Sequence, residues 1–150
     1  MDTVMPSKLI RLSKSNISAA EKSAVVDVLD SEFLGMGAKV QEFEIKLSEY
    51  LGRPSVCVST GTAALHLALQ AIGVGIGDEV LVPSLTYVAS FQAISATGAI
   101  PIACDVLECS LTISPQDAEA RITSRTKAIM PVHYAGGVGQ IDEIYELAKK

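Results

Sequence analysis

Ser59-Thr60-Gly61-Thr62-Ala63-Ala64-Leu65-His66-Leu67-Ala68-Leu69 turns an apolar run through a small polar corner into a helix. Upstream, Ser55-Val56-Cys57-Val58 has the composition of a short buried strand. Downstream, Ala63 to Ile72 is rich in Ala and Leu and apolar on nearly every face. A corner between such elements aims free backbone N–H groups outward. With the Thr60 and Thr62 hydroxyls beside them, the helix N-terminus can bind a phosphate.

Beyond this corner the same unit repeats. A turn, Gly73-Val74-Gly75-Ile76-Gly77-Asp78, leads to a strand over Glu79 to Val82 and a helix from about Thr86 to Thr97. A third strand, Ile100 to Asp105, precedes Ser114-Pro115, where Ser as N-cap and Pro at N1 open another helix. A fourth strand, Lys127 to Val132, enters His133-Tyr134-Ala135-Gly136-Gly137-Val138-Gly139. A last helix begins near Ile141 and is expected to run on through Lys150. This alternation predicts an α/β fold of three layers, a mostly parallel sheet with helices on both faces.

Ligands in such sheets gather at the carboxyl ends of the strands. Three loops meet that rule: Ser59 to Thr62, Pro83 to Tyr87 and His133 to Gly139. The glycine turn Gly73 to Gly77 does not. A dinucleotide fingerprint needs its glycines after a strand and before a helix, whereas these follow a helix and precede a strand.

Before the corner, residues 1–16 are polar and lack periodicity, as in an extended arm. Ser18-Ala19-Ala20-Glu21 matches a capping box for a helix to about Ser31. Phe33-Leu34-Gly35-Met36-Gly37 interrupts it, as a plain connector or as a loop against a ligand or second subunit. A helix from Lys39 to Leu51 follows, with Val40, Phe43, Leu47 and Tyr50 on one face and Gly52 as its stop.

Composition narrows the function. The chain has 150 residues, enough to bury a sizeable core in one α/β domain, and a net charge of −5, which argues against non-specific nucleic-acid binding. Pro54 to Gly77 and Val80 to Cys104 carry no charge and exceed the ~20 residues of a membrane span. Both are cut by Gly or Pro and seeded with polar residues, so they read as strand–turn–helix units and not as spans. Cys57, Cys104 and Cys109 lack CxxC spacing and read as reduced core thiols. The N-terminus has no apolar signal region, so the cytoplasm is expected.

Candidate chemistry sits on the three loops. Tyr87, at the start of its helix, could stack on a planar ligand or join the core. His133 follows a buried strand and suits a structural or a catalytic role equally. His66 lies inside an Ala/Leu helix and reads as core. Asp105 suits a cap or loop contact. No metal-ligand set, Ser-His-Asp, HExxH or P-loop pattern is present in the sequence.

These phrases resemble the DegT/DnrJ/StrS sugar aminotransferases, pyridoxal 5′-phosphate enzymes of fold type I. Phe33 to Gly37 looks like that family's early loop, Ser59 to Leu65 like its phosphate-binding corner, and Gly77-Asp78-Glu79-Val80 with Pro83-Ser84-Leu85-Thr86-Tyr87-Val88-Ala89 like its ring-stacking segment. Asp105-Val106 and Thr123 to Gly136 continue the match in order, over nearly the whole chain. The resemblance implies that Thr62 and Ala63, with Gly61 leaving room, bind the cofactor phosphate and that Tyr87 stacks on its pyridine ring. It also implies a homodimer with active sites at the interface.

In the family, the lysine that forms the Schiff base and the acid that pairs with the ring nitrogen lie further along the chain. Both are expected beyond Lys150, and Lys149 and Lys150 match neither position. Residues 17–150 then form the N-terminal part of a cofactor-binding large domain, inactive alone. The parent would move an amino group, from glutamate as donor, to a nucleotide-linked keto sugar, a reaction of polysaccharide biosynthesis. The missing lysine leaves an alternative open, a non-catalytic cofactor- or nucleotide-binding α/β module.

Overall fold

The computed structural model describes residues 14–150, so most of the arm expected over residues 1–16 lies outside the described residues. The described residues divide into two compact units, one ending at Cys57 and the other spanning Val58–Lys150.

In the first unit, helix α1 spans Ala19–Asp30 and α2 spans Ala38–Leu51. The capping box forms as expected: Ser18 Oγ accepts from the Ala20 N–H at 3.1 Å, and Glu21 accepts from the Ser18 N–H at 2.6 Å. Gly52, with φ 65°, ends α2. A Cβ on Gly37 would lie 2.7 Å from the ring of the exposed Phe33, which would have to shift to admit it.

The strand expected over Ser55 to Val58 does not form, and the segment pairs with no strand among the described residues. Side chains on one face of α2 take its donors instead. Ser55 N–H donates to Ser48 Oγ at 2.9 Å and Cys57 N–H to Glu44 Oε1 at 2.7 Å. Two of its amides are thus satisfied without a ladder, and Val56 and Val58 stay exposed.

The second unit carries the sheet. Helix α3 (Gly61–Ala71) leads to β1 (Glu79–Pro83), α4 (Ala89–Ala96), β2 (Ile100–Cys104), α5 (Pro115–Ala120), β3 (Thr126–Ile129) and α6 (Ile141–Ala148). The strands are parallel in the order β2-β1-β3. The described sheet therefore has three strands where four were expected. β1 lies at its centre and is buried throughout.

Because successive side chains alternate across a strand, β1 supplies two cores. Val80 and Val82 pack with Leu69, Ala93 and Ile94 beneath α3 and α4. Leu81 packs on the other face with Cys104, Ile113, Ala118, Ile144 and Leu147 beneath α5 and α6. The three layers expected of the sequence are present in this unit. Fully burying each such aliphatic side chain contributes about 1.5–3 kcal/mol.

Element ends depart from the sequence reading for local reasons. β3 stops at Ile129, not Val132. Met130 N–H still donates to Leu81 O at 2.8 Å, but Pro131 has no N–H with which to continue. α4 begins at Ala89 and not Thr86, and Ser90 N–H closes a turn on Tyr87 O at 3.1 Å ahead of it. α6 ends at Ala148, with Lys149 as its C-cap. Of the three thiols, Cys104 is buried, Cys57 is half-buried and Cys109 is exposed, so the core reading fails for Cys109.

Candidate functional site: the carboxyl edge of the sheet

Parallel strands fix where the loops lie. α3 runs down to the start of β1 and α4 runs back from its end, so the N-termini of both helices lie at the carboxyl edge of the sheet. His133 reaches that edge from β3. Ser84 N–H donates to Cys104 O at 2.8 Å, fastening the loop after β1 to the end of β2.

At the α3 N-terminus, Thr60 is the N-cap, with its hydroxyl accepting from the Ala63 N–H at 3.0 Å. Sequence reasoning missed this bond, which engages the amide of Ala63, one of the two residues expected to bind the phosphate. The N–H groups of Gly61 and Thr62 have no acceptor among the described residues. They point from a helix end whose dipole favours an anion.

Gly61 sharpens the picture. A Cβ on it would meet nothing within 4 Å, and its φ lies outside the left-handed region. Neither backbone nor packing among the described residues demands glycine there. A ligand approaching the backbone closely would.

Tyr87 is 78% exposed, which removes the core-packing alternative. It stands two residues ahead of α4, in the turn that opens the helix. His133 is exposed too, next to the short 3-10 turn Tyr134–Gly136, and has no hydrogen-bonded side chain among the described residues. His66 is only half-buried. Its Nε2 is fully enclosed and lacks a partner among the described residues, one helical turn beyond Thr62.

Asp105 serves the loop after β2. Its N–H donates to Asp117 Oδ2 at 2.7 Å, and its own carboxylate accepts from the Val106 N–H at 2.8 Å. The Arg121 guanidinium, bonded at 2.6 Å, followed by the Asp105 amide, holds the Asp117 carboxyl below its usual range. Burial pushes the neighbouring Cys104 thiol up, leaving it a core group and not a nucleophile. The Phe33 to Gly37 loop lines a pocket of about 530 Å³ in the first unit, with Val28 and Val40 among its walls.

The residues at the carboxyl edge fit a phosphate ester carrying a flat ring. There are two amide donors without an acceptor among the described residues and a threonine hydroxyl at a helix N-terminus, a glycine with open space at its Cβ position, and an aromatic side chain free of the core. Thr62 and Tyr87 share this edge, whereas no bond or packing ties His133 to them.

The chain resembles three solved structures at 35–40% identity. Spr1654 of Streptococcus pneumoniae, described as a sugar aminotransferase and solved in its PMP form, is 40% identical over 92% of this chain and 35% of its own, with a TM-score of 0.83. DesV of S. venezuelae is 39% identical over 85% of this chain and 35% of its own, with a TM-score of 0.74. An aminotransferase of Psychrobacter cryohalolentis is 35% identical over 89% of this chain and 35% of its own, with a TM-score of 0.83. This chain thus spans about a third of the length of each. Spr1654 has also been solved in a PLP form. The family model for DegT/DnrJ/EryC1/StrS aminotransferases matches residues 15–150, and the chain belongs to that family.

Proposed function

We propose that this chain is the N-terminal part of a pyridoxal phosphate-dependent sugar aminotransferase, and that Gly61, Thr62, Ala63 and Tyr87 form the part of the cofactor site it contributes. The observation that carries this reading is the α3 N-terminus, where two unpartnered amides and a glycine that the chain itself does not need lie on the same sheet edge as an exposed tyrosine. When bound, pyridoxal phosphate supplies a carbonyl that takes and returns the amino group and a ring that withdraws electrons.

The chain's own residues bind and orient. Gly61 and Thr62 N–H groups and the Thr62 hydroxyl hold the phosphate, with Ala63 N–H shared with Thr60. Tyr87 covers one face of the ring and limits its tilt. The lysine and the acidic partner of the ring nitrogen lie beyond Lys150, in a large domain that begins near residue 17. Glutamate is the amino donor, a nucleotide-linked keto sugar the acceptor, the cytoplasm the compartment and polysaccharide biosynthesis the setting. The working form is a homodimer.

The full-length protein supplied with cofactor should show a visible absorbance band that borohydride abolishes, and peptide mapping should find the modified lysine beyond Lys150. A well-folded protein that takes up no cofactor would reject the proposal. Thr62→Ala and Tyr87→Ala should each lower cofactor affinity, and unchanged affinity in both would reject the site.

A further inference from the structure

The corner between β1 and α4 holds a polar feature that ring stacking leaves unexplained. Tyr87 is 78% exposed, so no packing within the chain fixes its ring and the direction of its side chain comes from the backbone. Two bonds set that backbone. Thr86 Oγ1 and Ser90 Oγ lie 2.9 Å apart, and Ser90 N–H donates to Tyr87 O at 3.1 Å. Ser90 is itself only 5% exposed and rides on α4, whose Ala93 and Ile94 are fully buried. The anchor is therefore rigid and the tyrosine is the free end.

Thr86 could have capped α4 by accepting a backbone N–H, the common use of threonine ahead of a helix. Its hydroxyl meets a buried side chain four residues on instead, and the helix starts three residues later than the sequence pattern implies. We infer that Thr86 and Ser90 are positioning residues, a hydroxyl pair that holds the turn over residues 86–90 and thereby aims the Tyr87 ring at a flat aromatic ligand. The inference rests on the proposed role of Tyr87.

A double-mutant cycle in the full-length protein tests it, with pyridoxamine 5′-phosphate as probe. That compound has no carbonyl to react with a lysine, so its Kd reports non-covalent contacts alone. Thr86→Val keeps the shape and removes the hydroxyl. It should weaken binding about three- to tenfold, the span of one lost hydrogen bond, and diminish the circular dichroism induced in the bound ring. Thr86→Ser should restore both.

In a Tyr87→Ala background, Thr86→Val should add less than about a twofold loss, because a turn with no ring to aim has little left to lose. An equal loss with and without the ring, or no loss where Tyr87→Ala alone weakens binding, would overturn the inference and leave the ring-stacking role intact. If Tyr87→Ala itself changes nothing, that role falls and this inference with it. Ser90→Ala carries the same cycle should Thr86→Val fail to fold.

Discussion

The two ends of the sheet in the second unit are built on opposite plans. At the amino end, Glu79 is buried and its carboxylate is fully engaged. Thr123 Oγ1 donates to one oxygen, and the Arg125 guanidinium holds the other through two nitrogens, Nε at 2.9 Å. Glu79 N–H also donates to Arg125 O at 2.8 Å, and the register of β3 against β1 shifts just beyond, between Glu79 and Val80. At the carboxyl end, Gly61 and Thr62 amides have no acceptor among the described residues and Tyr87 stands in solvent. One end ties its polar groups into the fold, and the other keeps two helix amides without an acceptor among the described residues.

If that division holds, changes at the amino end should alter stability and spare binding, and changes at the carboxyl end should do the reverse. The centre serves both. Leu81 is fully buried between the layers, so Leu81→Ala should cost about 2–5 kcal/mol. Denaturant unfolding should show it, and cofactor binding should fail together with the fold. A variant that loses stability while its affinity stays near normal would mean that the carboxyl edge is organised independently of the sheet.

Next in size is Glu79→Gln, which keeps the shape and removes the charge. The hydrogen bond from Thr123, then that from Arg125, lowers the Glu79 carboxyl below its ordinary 4.5. A lowered carboxyl contributes stability that is present above its unfolded value and lost as pH falls through the folded one. The native protein should therefore lose stability below about pH 4.5, and the variant should show a flatter acid limb with unchanged cofactor affinity at neutral pH. Because the Arg125 side chain is 62% exposed, water screens its half of the pair, and the loss should be smaller than that of Leu81→Ala. Equal acid limbs would show that the amino end is not held by this charge.

The sequence disclosed the carboxyl end better than the amino end. The start of α3 was legible because small polar residues precede an Ala- and Leu-rich run, and the place of Tyr87 because it follows an apolar strand pattern and precedes a helical one. The Glu79, Thr123 and Arg125 cluster was not legible. Its members are up to 46 residues apart, and only the β1–β3 pairing brings them together. The Thr86 and Ser90 pair was missed for another reason, since a helical pattern read through both positions gives no sign that their hydroxyls meet. Ser55 to Val58 has strand composition, but composition cannot reveal that Ser48 and Glu44 will take its donors.

The smallest expected effect on stability, and the sharpest contrast, belongs to Gly61→Ala. Gly61 is the first residue of α3, its backbone is not left-handed, and an added Cβ has open space around it. By local physics alanine is the better residue, since it restricts the unfolded chain, and the substitution should stabilise the fold by about 0.4–1 kcal/mol. Cofactor affinity should move the other way, because the new methyl group stands beside the two free amides where a phosphate must come close. Thermal unfolding without cofactor and titration with pyridoxal phosphate read the two quantities separately. Opposite signs would mean that a ligand, and not the fold, requires this glycine. A gain in stability with no loss of affinity would leave the α3 N-terminus as an ordinary helix end, and the difference between the two ends of the sheet would then rest on Tyr87 alone.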